Sequence, residues 1–100
     1  MEARAPVGRG VRPTVGIALV STTLRSLLRA DLERSGFEVV RDRMHGDLGE
    51  VDVAITDRRG SRGRLVTVVV GAEIEVYTPG GTWWFPSTEV DRLGELLHTE

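Results

Sequence analysis

Asp57 is the carboxylate best placed to do chemistry, because it closes an apolar, β-branched run (VDVAIT, residues 51–56). In open α/β folds a side chain at that end of a strand projects into the crevice that usually binds ligand. A second account is local, since aspartate commonly opens a turn. Arg58, Arg59, Arg62 and Arg64 follow, with Gly60 and Gly63 leaving the backbone free to approach a phosphate. They also read as a solvated turn whose charge keeps the structure soluble. Trp83, Trp84 and Phe85 are consecutive, so strand alternation sends Trp83 and Phe85 to one face and Trp84 to the other. At least one large aromatic then needs cover, and an exposed tryptophan is a natural anchor for a partner. His45 and His98 have no carboxylate or second histidine at ligand spacing, so no metal site is read from them. There is no Ser/His/Asp set, Walker loop or glycine-rich dinucleotide turn, and hence no catalytic residue or cofactor to nominate.

The elements that must position these residues centre on residues 51–70, where two apolar runs flank the charged segment DRRGSRGR. Side chains branched at Cβ suit a pleated surface, and the intervening segment must be solvated. With eight residues between Thr56 and Leu65, the two runs are expected to pair as an antiparallel hairpin with the arginines at its tip. Upstream, TVGIALV (14–20) predicts a first strand. Ser21, Thr22 and Thr23 offer helix caps, and Leu24, Leu27, Leu28 and Leu32 form an apolar stripe ending at Gly36. A second strand at 37–40 then lies parallel to the first. Downstream, Gly71 predicts a bulge or bend before EIEVY (73–77), whose alternation puts Ile74 and Val76 on one face and Glu73, Glu75 and Tyr77 on the other. Thr78-Pro79-Gly80-Gly81 reads as a type II turn with φ > 0 at Gly80. TWWF (82–85) is a last strand. Ser87 or Thr88 then caps a helix with Val90, Leu93, Leu96 and Leu97 inward, in which Gly94 costs roughly 1 kcal/mol relative to alanine.

At 100 residues and 40% apolar, the chain suits one globular domain spanning 14–100, preceded by a flexible tail over 1–13. The absence of cysteine excludes thiolate metal sites and thiol catalysis and fits a reducing cytoplasm. No apolar run approaches the ~18 residues of a membrane span, so no membrane partner is expected. All 13 basic residues are arginine, a bias that GC-rich coding produces and that hints at a bacterial source. Up to Arg64 there are 12 arginines against 9 acids (+3), and from Leu65 onward 1 against 6 (−5). The acidic second half argues against a chain-wide phosphate-binding surface and leaves a local basic tip as the alternative.

Two family resemblances follow from these residues. VGIALV, LRSLLRADLERSGFEVV and DVAITD together resemble the receiver domain of bacterial response regulators, with Asp57 at the phosphoacceptor's place. Ser21 and Thr22 stand where that family carries its Mg²⁺-binding acidic pair, and the chain has no lysine. The resemblance therefore implies a degenerate, phosphorylation-independent interaction module. A weaker resemblance is to PD-(D/E)XK nucleases, through Ser35 to Val40, the run Gly49-Glu50-Val51-Asp52, and Leu65 to Val70. Val68 and Val70 occupy the places of the E-x-K carboxylate and lysine. What this likeness implies is an inactive, nucleic-acid-binding domain using the arginine-rich hairpin.

The expected architecture is α/β: a small mixed sheet of about five to six strands, an N-terminal crossover helix and a C-terminal helix. The expected role is non-catalytic. A protein partner or a second copy docks on Glu73, Glu75, Tyr77, Trp83 and Trp84, with nucleic acid at the arginine tip as the alternative.

Overall fold

Each apolar run of the sequence becomes a strand, and the one long leucine-bearing segment becomes a helix. The computed structural model describes residues 12–58 and 66–98. In chain order the elements are β1 (Thr14–Ala18), α1 (Thr22–Arg34), β2 (Glu38–Arg43), β3 (Val53–Thr56), β4 (Val66–Val70), β5 (Glu73–Thr78) and β6 (Gly81–Pro86). A 3₁₀ turn (Ser87–Arg92) and a short helix α2 (Leu93–His98) complete them. The strands form one six-stranded mixed sheet in the order β2-β1-β3-β4-β5-β6, so the α/β class is as the sequence indicates. Both helices cover the same face. There Leu28 and Leu32 of α1, and Leu93 and Leu97 of α2, pack with Ile17, Ile55 and other alternate residues of the central strands.

Helix α1 begins where the hydroxyl run predicts, with the Ser21 Oγ accepting from the Leu24 amide at 3.1 Å. It ends at Gly36, which takes φ +94°. The buried stripe differs from the expected one by a residue: Leu27 is half-exposed and Asp31 is buried. At about 100° per residue, Leu24, Leu28, Asp31 and Leu32 share one face and Leu27 lies at its margin. Asp31 earns its burial through its partners. Its Oδ2 accepts from the Gly94 amide at 2.7 Å, and its Oδ1 from the Arg34 guanidinium at 2.9 Å. One carboxylate thus fastens α2 to α1.

β1 pairs in parallel with both β2 and β3, as a strand–helix–strand unit requires. The pairing of β3 with β4 corrects the expected antiparallel hairpin: the two strands are parallel, with Val53 opposite Val66 and Thr56 opposite Val69. The short strand permits it. β3 has only four residues, so returning along it takes roughly 13 Å at ~3.3 Å per residue, and a step of ~4.8 Å reaches the next strand. A connection over positions 57–65 can extend to roughly 30 Å, enough to cross without a helix. β3 is buried on both faces, the usual setting of a parallel strand.

Antiparallel pairing begins only after β4, where Gly71 and Ala72 form the bend that reverses the chain, the second of the two expected forms, and not a bulge. The next turn departs from type II. Gly81, not Gly80, takes positive φ (+147°), and the Thr78 Oγ accepts from the Gly80 amide at 3.1 Å while donating to the Gly81 carbonyl at 3.0 Å. The threonine closes the turn itself. The segment leading into α2 is a 3₁₀ turn whose N-cap, Pro86, has no side-chain capping bond, so neither Ser87 nor Thr88 has the expected role.

The second face of the sheet is covered at β1 and β3 by the segment between β2 and β3, with Leu48 and Val51 packed on Ala18 and Ala54. Small residues make this approach possible. A Cβ added at Gly16 would lie 3.0 Å from the Leu48 Cβ. At the start of the strands Thr14 and Asp52 clasp each other. The Asp52 carboxylate accepts from the Thr14 amide at 2.9 Å, and the Asp52 amide donates to the Thr14 Oγ1 at 3.1 Å. The Pro13 carbonyl accepts from the Glu38 amide at 2.9 Å; residues 1–11, most of the expected tail over 1–13, lie outside the described ones. Among the described residues no helix is long and apolar enough to cross a membrane.

Candidate functional site

Asp57 lies where its place in the sequence indicates, exposed just beyond the C-terminal end of β3. β1 and β3 are neighbours whose crossovers leave in opposite directions, toward β2 and toward β4. That is a topological switch point, the usual location of a crevice in open α/β sheets. A small open cleft of about 160 Å³ is present there, lined by Ala18, His45, Gly46, Thr56, Asp57 and Arg58. The turn account of Asp57 also has support, since the buried Thr56 accepts the Arg58 amide on its Oγ1 at 3.1 Å. His45 joins the cleft from the loop after β2, a neighbour of Asp57 that sequence spacing does not reveal. Among the described residues no group of three or more histidine, aspartate or glutamate side chains converges on a metal position. The His98 side chain lies outside the described residues.

The arginine cluster is not a hairpin tip. The strands on either side of it, β3 and β4, are parallel rather than paired as a hairpin. Arg58 is exposed beside the cleft; Arg59, Arg62 and Arg64 lie outside the described residues. Asp52 and Glu50 precede β3, at the opposite end from Asp57, and the Asp52 carboxylate is engaged by Thr14.

The outer hairpin β5–β6 has the alternation read from the sequence. Ile74 and Val76 are buried on the helix side, opposite Phe85 and Trp83, while Glu75 stands opposite Trp84 and Tyr77 opposite Thr82 on the other face. Tyr77 donates its hydroxyl proton to the Glu75 carboxylate, giving that face a fixed polar pair. Glu73 is exposed on the same face. Trp84 is 59% exposed and Trp83 39% exposed. The two tryptophans thus leave aromatic surface in water on opposite faces of the sheet.

The two edges of the sheet differ in kind. β2, sequence EVVRDR, carries Glu38, Arg41, Asp42 and Arg43. Asp42 also accepts Arg29 of α1 at 3.2 Å and lies 3.5 Å from Arg25. The hydrogen bonds to Asp42 and then Glu33 raise the Arg29 guanidinium pKa above its ordinary value. A charged edge of this kind discourages strand addition. β6, sequence GTWWFP, has no charged residue. It is the last strand of the sheet among the described residues, and only Pro86 at its end limits pairing.

Comparison with family models, with curated proteins and with solved structures finds no match to this chain.

Proposed function

We propose that this protein is a non-catalytic protein-interaction module whose contact surface is the outer hairpin, centred on β6. The observation that carries the reading is an edge strand without charge that exposes Trp83 and Trp84, in a sheet whose other edge is heavily charged. Backbone groups along such an edge supply affinity by strand addition, and the tryptophans supply anchors. The receiver-like reading is supported by the strand order, β2-β1-β3-β4-β5, and by Asp57 at the switch point. The antiparallel β5 departs from the all-parallel version of that order. The nuclease-like alternative rests on the segments Ser35 to Val40, Gly49 to Asp52 and Leu65 to Val70, and β3 and β4 are parallel where it expected an antiparallel pair. A bacterial cytoplasm is the setting that best suits a chain without cysteine or lysine.

Trp84→Ala is the deciding variant. As a surface substitution it should change stability by no more than about 0.5 kcal/mol, and so move the melting temperature by less than about 4 °C. Capture on the immobilised chain should meanwhile lose at least about tenfold in partner affinity. Early unfolding of Trp84→Ala, of the roughly 3–5 kcal/mol expected for a core aromatic, or undiminished capture, would reverse the assignment.

A further inference from the structure

Building on the interaction-module reading, we infer that the partner is a second copy of this chain, joined by antiparallel β6–β6 pairing about a two-fold axis beside Trp84. Strand parity restricts the register. A two-fold axis perpendicular to the sheet keeps the helix-covered face on one side in both copies, and residues directly opposite across strands point to the same face. Trp83 and Phe85 face the helices and Trp84 the other side, so the axis must pass beside a residue rather than between two. Placed beside Trp84, it sets Trp84 opposite Trp84 on the open face and Trp83 opposite Phe85 twice on the helix face. Thr82 then meets Pro86 at the ends. The aromatics of β6 therefore complement themselves in one register, a condition that a strand of arbitrary sequence does not meet.

Charge favours this closed arrangement over the open one. Head-to-tail addition of β6 to the β2 edge of another copy would generate a filament and would set Arg41, Asp42 and Arg43 against the tryptophans. Self-pairing through β6 brings no charge into the contact. The nearest acids, Glu73 and Glu75, lie on β5. The two β5 strands would be three strand spacings apart, roughly 14 Å, beyond the screening length of ~8 Å at physiological salt. The exposed ring surface is modest, because Trp83 and Trp84 are already partly covered. A contact of one six-residue strand from each copy is small beside the ~1,200 Å² of stable complexes, so the dimer should be concentration-dependent and reversible.

Sedimentation equilibrium of the full chain from micromolar to millimolar concentration tests this. Wild type should pass from monomer to dimer. Trp84→Lys and Trp84→Glu should each weaken association at least about tenfold, because like charges then face each other across the axis. An equimolar mixture of the two variants should restore it, since only position 84 facing itself brings the lysine against the glutamate. The chain has no cysteine, so Trp84→Cys provides an independent readout: mild oxidation should yield a covalent dimer through the one thiol. Far-UV circular dichroism establishes that each variant is folded. A wild type monomeric throughout, dimers indifferent to both charges, or a mixture that stays apart would overturn the inference. If wild type is monomeric but captures a different protein that Trp84→Ala loses, the second copy is ruled out and the interaction-module reading stands. If Trp84→Ala loses nothing, both fall.

Discussion

Gly94 shows how a single residue can reverse its apparent meaning. On helix propensity alone, alanine would be favoured at this position by roughly 1 kcal/mol. In the folded chain a Cβ at Gly94 would lie 2.4 Å from the Ser35 Oγ and 2.7 Å from the Ser35 Cβ. The backbone approaches α1 this closely because the Gly94 amide donates to the buried Asp31 carboxylate. Gly94→Ala is therefore expected to destabilise by about 1–3 kcal/mol, the range for overpacking, read as a lower urea midpoint with an unchanged slope. A gain in stability would show that the junction can relax. Neither residue's role was legible in the sequence. An aspartate in the buried stripe of a helix reads as a break in the pattern until its partner, 63 positions away, is known. The exposed tryptophan was legible as a consequence of alternation, but which of the pair faces away from the helices needed the register with Ile74 and Val76.

At the scale of elements, β-branched and aromatic runs announced every strand, but the charged second half of β2, Arg41 to Arg43, read as part of a polar loop. Direction was another matter. The segment 57–65 is long enough to turn a hairpin and long enough to recross a four-residue strand, and composition does not choose between them. The cover of the second face was also hidden, because RMHGDLGEV reads as a polar loop with one leucine. That leucine is buried on Gly16 and groups with Ala18, Val51 and Ala54. The loop does for one face what the two helices do for the other, with far less apolar area. Leu48→Ala should accordingly cost about 2–5 kcal/mol, as for a core leucine, measured by chemical denaturation. A change within about 0.5 kcal/mol would mean that the loop is an ornament on a sheet stable without it.

Across the whole molecule the sheet is built in two styles: a parallel half centred on β1 and β3, and an antiparallel hairpin attached at one side. The contrast sets an order of assembly. The hairpin closes through neighbours in sequence and can form in ~1–10 μs. The Thr14–Asp52 clasp joins residues 38 apart, at a closure cost about 2 kcal/mol above that of a four-residue turn. Folding should then wait on the meeting of β1 and β3, with the clasp already made at the barrier. Asp52→Ala is expected to slow refolding by most of its loss in stability, and Glu75→Ala, on the hairpin formed before the barrier, should likewise leave the unfolding rate nearly unchanged. Stopped-flow chevrons of the two variants would read this directly, and slower unfolding limbs for neither would leave the refolding arm as the discriminating one: if Asp52→Ala refolds at the wild-type rate, the clasp closes after the barrier. A hydrogen-bonded pair at the foot of two strands thus acts in time as well as in space, deciding when the chain commits to its fold.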